Sequence, residues 1–236
     1  MENLKKICCT FVTFLLVYDL SLHSVAPTFP AVQPALKHAP KQHLQGRITG
    51  DRYYSYGNTF SIPLPTSDEA SHIEDFYVTP NIGGVAFFND YGFLLKIEKD
   101  ELIPEVISII TQHPEIKEEM LDALFYDALV PQIKITAPKL QILFEKKIRL
   151  ASGEPALFAV LNYPEGATVM DTVTGVTLDS KRGYLIFFSE NKALMSFTLQ
   201  DTLSFIPSIA DAAKSRLNAR LLHHLEQYQS TFQAIH

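Results

Sequence analysis

The stretch Gly183–Leu199, GYLIFFSENKALMSFTL, decides the fold of this 236-residue chain. Two apolar and aromatic runs, Gly183–Ser189 and Ala193–Leu199, flank the polar pair Glu190-Asn191. Two strand-like runs joined by a short polar turn are typical of a β-hairpin. The stretch therefore predicts two neighbouring antiparallel strands near the end of the chain.

A similar hairpin is predicted upstream, where Gly83-Gly84 opens the run Val85–Asn89 and Phe93–Glu98 follows. The residues between these runs, Asn89-Asp90-Tyr91-Gly92, have good turn chemistry. Each hairpin carries a pair of adjacent phenylalanines, which neighbouring strand positions direct to opposite faces of a sheet. One ring of each pair is expected in the core. The other ring is either covered by helices or exposed as a ligand groove or partner surface.

Further runs rich in β-branched and aromatic residues predict more strands. They are Tyr53–Tyr56, Thr59–Pro63, Ile73–Val78, Leu140–Leu150 and Ala156–Asn162. Short connections between consecutive strands favour antiparallel pairing. The sequence therefore predicts an α+β fold with a mainly antiparallel sheet flanked by helices.

Three helices are predicted around this sheet. Asp100 suits the N-cap of a helix over Glu101–Gln112, and Pro114 then separates it from a helix over Glu115–Leu129. Apolar residues from Ile206 to Ile235 recur at about 3.6 residues per step, which is the α-helical period. The chain is therefore expected to end in a long amphipathic helix of about 30 residues that packs along the sheet.

The order of these segments resembles the PsbP/Mog1-like family, an α/β/α sandwich. The resemblance rests on Phe60-Ser61-Ile62-Pro63-Leu64-Pro65, Gly153-Glu154-Pro155-Ala156, Arg182-Gly183-Tyr184-Leu185-Ile186-Phe187 and the final helix. Members of that fold are mainly accessory or binding proteins without enzymatic activity. The resemblance therefore implies a non-enzymatic role and no catalytic residues to carry over.

The first 26 residues are expected to form a signal peptide. Lys5 and Lys6 precede the apolar run Ile7–Tyr18, which is short for a membrane span and suitable for a signal core. Ser24-Val25-Ala26 places small residues before a cleavage point after Ala26, although Pro27 disfavours cleavage there. The open alternative is a retained inner-membrane anchor over residues 7–22.

The segment after the signal reads as a linker. Residues 27–46 hold four prolines with lysines and histidines, which is typical of a semi-rigid tether. Residues 47–236 are then expected to form a single α+β domain. The two cysteines, Cys8 and Cys9, both lie in the signal, so no disulfide is expected in that domain.

Charge and motifs restrict the function. A formal net charge of −6 does not indicate a nucleic-acid binder. His72 with Glu74, the adjacent His223 and His224, and the helix carboxylates Asp122 and Asp127 are the best candidates for metal or acid–base chemistry. None has the spacing of an established motif. No catalytic residue, metal ligand or cofactor is assigned, and the ligand-binding residues stay unknown.

These observations predict an exported module, in the periplasm or outside the cell, that binds a protein partner or an apolar ligand. No Asn-x-Ser/Thr sequon occurs, which favours a bacterial cell envelope as the setting. The alternatives are a secreted hydrolase with a non-standard active site and a secreted factor that acts on host proteins. A purely structural oligomer built on the long final helix is a further alternative.

Overall fold

The computed structural model describes residues 46–65, 77–81, 83–88, 93–170, 175–200 and 211–235. Its main feature is an antiparallel sheet of seven strands in the order β4-β5-β6-β10-β9-β8-β7. The strands are β4 (Tyr77–Asn81), β5 (Gly84–Phe88), β6 (Leu94–Glu101), β7 (Gln141–Arg149), β8 (Pro155–Met170), β9 (Gly175–Ser189) and β10 (Ala193–Gln200).

A second, smaller sheet has the order β1-β2-β3-β11, and its strands are also antiparallel. It comprises β1 (Gly46–Thr49), β2 (Arg52–Ser55), β3 (Phe60–Pro63) and β11 (Gln233–Ala234). This sheet joins the beginning of the described domain to its end.

The hairpin β9–β10 has the turn chemistry that its sequence predicts. Glu190 and Asn191 adopt left-handed conformations with φ of 51° and 57°. Positive φ at both central residues matches the right-handed twist of the flanking strands, and Asn tolerates it better than most residues. The turn pairs Ser189 with Ala193, so the register of the whole hairpin follows from these residues.

Within the described residues, four helices cover the main sheet. They are α1 (Pro104–Gln112), α2 (Lys117–Ala123), α3 (Val130–Thr136) and α4 (Asp211–Thr231). A π-helical turn, Leu124–Leu129, joins α2 to α3. Helices α1 to α3 lie on one face of the sheet, whereas α4 and the small sheet lie on the other.

Two apolar cores result, one on each face of the main sheet. The first unites α4, the small sheet and strand residues such as Phe87, Phe158 and Phe187. The second unites α1 to α3 with the alternate strand residues, Phe188 among them. The expected α+β architecture, an antiparallel sheet flanked by helices, is therefore confirmed.

Gly183 allows α4 to approach the sheet closely. A Cβ atom at this position would lie 3.1 Å from Leu221 Cβ, 3.2 Å from Leu225 Cδ1 and 3.4 Å from Phe158 Cε2. Leu221 and Leu225 are fully buried. A residue without a side chain is what permits this helix–sheet contact.

Two helix boundaries differ from the prediction. Asp100 is not an N-cap: β6 continues to Glu101, and α1 begins at Pro104 with Ile103 as its N-cap. Asp100 and Glu101 instead pair with Leu194 and Ala193 of β10, which keeps the backbone extended. The helix expected over Glu115–Leu129 begins with a 3-10 turn, Pro114–Ile116, and its helical backbone continues to Thr136.

The final helix is shorter than predicted. It ends at Thr231, and the backbone then forms β11 beside β3. Phe232 and Ile235, which continue the 3.6-residue period, lie outside the helix. The part of this expected helix before Asp211, with the expected strand over residues 73–76 and the turn over residues 89–92, lies outside the described residues.

Candidate functional site

Strand β7 is joined to helix α2 and to the π-helical turn after it by three side-chain pairs, which we call the α2–β7 ladder. Glu118 Oε1 lies 2.7 Å from Arg149 Nη2, and Asp122 Oδ2 lies 2.6 Å from Lys147 Nζ. The Tyr126 hydroxyl donates a hydrogen bond to Glu145 Oε2. The helix contributes every fourth residue and the strand every second residue, in opposite chain directions.

The ladder depends on a match between two repeat lengths. Four helical residues advance about 6 Å, whereas two strand residues advance about 6.7 Å. Three successive pairs can therefore form before the two elements lose register. Each pair is partly exposed, so each is expected to contribute less than about 1 kcal/mol. The ladder chiefly fixes the position of the edge strand relative to the helices.

The last residue of the ladder, Tyr126, lies on the π-helical turn. The N–H of Val130 bonds to the carbonyl of Phe125, five residues earlier, and Pro131 follows. Proline lacks the N–H that a regular α-helix would use here, and its ring crowds the carbonyl four residues before it. A wider turn relieves that conflict. Such turns are frequent at functional sites.

An exposed apolar patch lies beside this turn at the edge of the main sheet. It consists of Tyr126, Ile142 and Leu143, which are 43%, 37% and 48% exposed, and we call it the β7 edge patch. Among the described strands, β7 pairs only with β8. The pairing register shifts between Ile142 and Phe144, so Leu143 has no partner across the ladder of hydrogen bonds.

The electrostatics of the ladder follow from its contacts. The hydrogen bond to Glu145 raises the pKa of Tyr126 to about 12, because the neutral phenol is the donor and the nearby carboxylate disfavours a phenolate. The hydrogen bond to Asp122 raises the pKa of Lys147. Both groups therefore keep their protons at neutral pH.

A polar pocket of about 290 Å³ opens at the other end of β7. Its charged lining residues are Glu115, Lys117, Glu118, Arg149 and Glu154. The ammonium of Lys117, which is buried, lies 2.7 Å from the Glu154 carboxylate. The other cation in the lining, Arg149, is also paired with a carboxylate. The charged groups that line the pocket are therefore explained as ion pairs that hold α2 to the β7–β8 turn.

A buried polar network lies on the α1–α3 side of the sheet. Arg182 Nε donates to Gln200 Oε1 at 2.9 Å, and the Ser180 hydroxyl donates to the same oxygen. The Arg182 guanidinium lies 4.2 Å from the centre of the Tyr163 ring. The Tyr163 hydroxyl is bonded to that of Tyr184, and burial raises the pKa of Tyr163. These groups satisfy one another, which is typical of a structural network.

The structure does not assemble the predicted chemical candidates into one site. Asp122 belongs to the ladder, whereas Asp127 is exposed on the π-helical turn. His223 and His224 lie side by side on α4, with ring centres 5.8 Å apart. His72 and Glu74 lie outside the described residues. Within the described ranges, no group of three or more His, Cys, Asp or Glu residues is placed to hold a metal ion.

The two pairs of adjacent phenylalanines lie mainly in the apolar cores. Phe187 and Phe188 are both buried, one in each core, and Phe87 is buried beside α4. Phe88 is half-buried. The β7 edge patch was not predicted. The available signal was the pair Ile142-Leu143, which breaks the alternation of polar and apolar residues expected of a half-buried strand.

The localisation predictions stay predictions. The signal peptide, its cleavage after Ala26, the anchor over residues 7–22 and the linker to residue 45 all lie outside the described residues. None of the helices in the described part of the chain combines the length and apolar character that a membrane span requires. The predictions that the protein is not an enzyme, that it is a hydrolase or that it acts on host proteins are likewise untested.

Comparison with known proteins gives distant structural similarity. No family model and no curated protein sequence matches the chain. The solution structure of cyanobacterial PsbP from Synechocystis superposes with a TM-score of 0.38 and 10% identity, over 78% of this chain and 91% of that one. A protein from Bacteroides thetaiotaomicron gives 0.36 and 12%, over 80% and 50% of the two chains.

A protein of unknown function from Pseudomonas aeruginosa is similar at a TM-score of 0.29 and 11% identity, over 64% of this chain and 94% of that one. These three structures share with this chain a coarse resemblance only. Membership of the PsbP/Mog1-like family stays a prediction.

Proposed function

We propose that this chain is an exported accessory protein of the bacterial cell envelope, whose folded domain binds a partner protein at the β7 edge patch. The observation that carries the proposal is the exposed trio Tyr126, Ile142 and Leu143 beside a strand edge that no other described strand covers. Exposed apolar residues that cluster next to unpaired backbone groups favour association with another chain.

The rigidity of the surroundings supports this role. The α2–β7 ladder holds the edge strand against the helices, so the patch is preorganised and little conformational entropy is lost on binding. The pocket at the opposite end of β7 is lined by ion pairs, which does not suit an apolar ligand. This pocket therefore offers no apolar ligand site, and the proposal places the partner at the β7 edge patch.

Site-specific photocrosslinking in intact producing cells tests the partner. A photoreactive residue in place of Leu143 is expected to give one discrete adduct. The matched control is the same residue in place of Tyr56, which is 71% exposed. Equal adducts from both positions, or none from position 143, would contradict a partner site at this edge.

Export has its own measurement. The mature protein is expected in the periplasm or the medium, with a mass that corresponds to loss of residues 1–26. If the intact chain fractionates with the inner membrane, the signal is not cleaved and residues 7–22 act as a membrane anchor. An intact chain in the cytosol would overturn the proposed location.

A further inference from the structure

The hydroxyl of Tyr53 is buried without a hydrogen-bond partner. The residue is 1% exposed, and its hydroxyl forms no hydrogen bond with any described residue. Its ring is fixed in the core by Phe87, which it meets edge-on at 5.8 Å, and by Phe60 at 6.3 Å. A hydroxyl that loses its bonds to water and gains none in exchange carries a free-energy cost in the folded structure.

Strand β1 is the element that covers this hydroxyl. A Cβ atom at Gly46 would clash with the Tyr53 hydroxyl oxygen and would lie 2.6 Å from the ring carbon Cζ. Only a residue without a side chain can lie so close. Ile48, the next residue but one of β1, is paired with Tyr53 across the two strands. The strand therefore excludes water from the hydroxyl without supplying a hydrogen bond in its place.

The side chains of β1 hold it weakly. It is a four-residue strand at one edge of the small sheet, and it pairs with β2 alone among the described strands. Arg47 and Thr49 are exposed, and only Ile48 packs against the core. The Arg47 guanidinium lies 5.1 Å from the centre of the Tyr54 ring and 3.4 Å from Asn58 Oδ1. Such contacts of an exposed cation contribute little to stability.

Strand β2, in contrast, is fixed at its first residues. The N–H of Leu64 donates to the carbonyl of Asp51 at 2.7 Å, and Arg52 Nη2 donates to the carbonyl of Thr231 at 2.9 Å. Gly50, between the two strands, has a φ of 62°, and no atom lies within 4 Å of the place where a Cβ would be. Strand β1 can therefore turn about Gly50 while β2 keeps its position.

We propose that β1 is a strap, which detaches from β2 while the rest of the domain stays folded and thereby hydrates the Tyr53 hydroxyl. The cost of keeping that hydroxyl dry favours the open form, whereas Ile48 and the backbone hydrogen bonds favour the closed form. β1 directly follows the linker that the sequence predicts. Opening of the strap would therefore lengthen that linker by residues 47–50, about 13 Å.

Hydrogen exchange at individual amides of the full chain tests the opening. The β1 amides that bond to β2 are expected to exchange at least about 100-fold faster than those of β6 and β10, because local opening costs less than global unfolding. Low concentrations of denaturant should leave β1 exchange unchanged and accelerate exchange in β6 and β10, since a local opening exposes little surface. If the β1 amides exchange only together with β6 and β10, the strap does not open and the inference is overturned.

A pair of substitutions tests the role of the hydroxyl. Tyr53→Phe removes the group that the closed form leaves unsatisfied, so β1 exchange is expected to slow about tenfold. Tyr56→Phe is the matched control, because it also removes one phenolic hydroxyl, from a residue that is 71% exposed, and it should leave β1 exchange unchanged. Unchanged or faster exchange in Tyr53→Phe, or equal effects of the two substitutions, would overturn the inference.

Discussion

Asp122 and Lys147 form an ion pair with a 2.6 Å separation that is the middle contact between helix α2 and the edge strand β7. The pairs on either side, Glu118 with Arg149 and Tyr126 with Glu145, lie four helical residues and two strand residues away. Because this spacing is kept over three successive pairs, the regular placement of polar side chains aligns the helical segment with the strand. The alignment brings the exposed Tyr126 to β7, the strand that ends the main sheet among the described residues.

The hydroxyl of Tyr126 should report this alignment through its ionisation. Its pKa in the folded protein is about 12, above the unfolded value of about 10, because it donates to Glu145. A raised pKa means that the stabilisation is complete below about pH 10 and is lost as the pH rises through 12. Glu145→Ala should return the Tyr126 step towards 10, measured by the absorbance of tyrosinate.

Tyr53 is the internal reference for that titration. Burial alone raises its pKa to about 12, so Glu145→Ala should leave it unchanged. Tyr126→Phe assigns the Tyr126 step. A Tyr126 step that keeps its position after loss of the Glu145 carboxylate would show that the hydroxyl is not held by that residue.

Removing only the carboxylate partner of the buried Lys117 ammonium should destabilise the protein more than replacing Lys117 itself by an apolar residue. Glu154→Gln leaves Lys117, which is 5% exposed, with a neutral neighbour, and is expected to lower the free energy of unfolding by about 2 kcal/mol. Lys117→Met removes the need for a partner and should be close to neutral. Chemical denaturation measures both variants.

Glu115 supplies the control for this pair. It lines the same pocket, and its side chain is 68% exposed beside His113. Glu115→Gln should therefore change stability by less than about 0.5 kcal/mol. Equal losses for Glu154→Gln and Glu115→Gln would show that burial of Lys117 does not set the cost.

Gly183 should tolerate little added volume. Gly183→Val places two methyl groups where Leu221 and Leu225 already lie within 3.2 Å of a Cβ, so a loss of about 2 kcal/mol is expected. Gly183→Ala should lose less than about 1 kcal/mol, because the more restricted backbone offsets part of the crowding. Leu225→Ala opens space, so the double variant with Val should lose less than the sum of the two single changes. Strict additivity in denaturation experiments would contradict the close contact.

Local patterns predicted the elements well where neighbours in sequence also pair in space. The hairpin over Gly183–Leu199 was predicted correctly, because both strands and their turn lie within one stretch. The N-cap prediction at Asp100 was wrong, since the residue type suits a cap and only pairing with Leu194 of a distant strand keeps it extended. The sequence around Asp100 contains no sign of this pairing with β10.

The site was harder to predict than the fold. Helix residues 118, 122 and 126 and strand residues 145, 147 and 149 each follow a regular spacing, but the two sets meet only through the tertiary register. The π-helical turn depends on how the backbone before Pro131 relieves its crowding, which residue pattern alone does not specify. The edge patch required knowing which strand ends the sheet.

The end of α4 offers the sharpest difference between the sequence pattern and the structure. The ring of Phe232 stacks on Phe60 at 5.6 Å and meets Phe197 edge-on at 5.7 Å, just after the helix ends. The amide of Ile235 donates to the carbonyl of Thr59 at 3.0 Å, which a continuing helix would not allow. The aromatic contacts thus hold the last residues against β3.

Phe232→Ala should therefore release this terminus. Phe232 is half-buried, so the expected loss is about 2 kcal/mol, below the range for a fully buried ring. The Ile235 amide should lose its protection from hydrogen exchange in the same variant. Gln227→Ala, on the exposed side of α4, should change neither quantity. If Phe232→Ala kept both the stability and the Ile235 protection, the sequence-based helix through residue 235 would be the better description, because protection would then come from a helical bond that needs no ring.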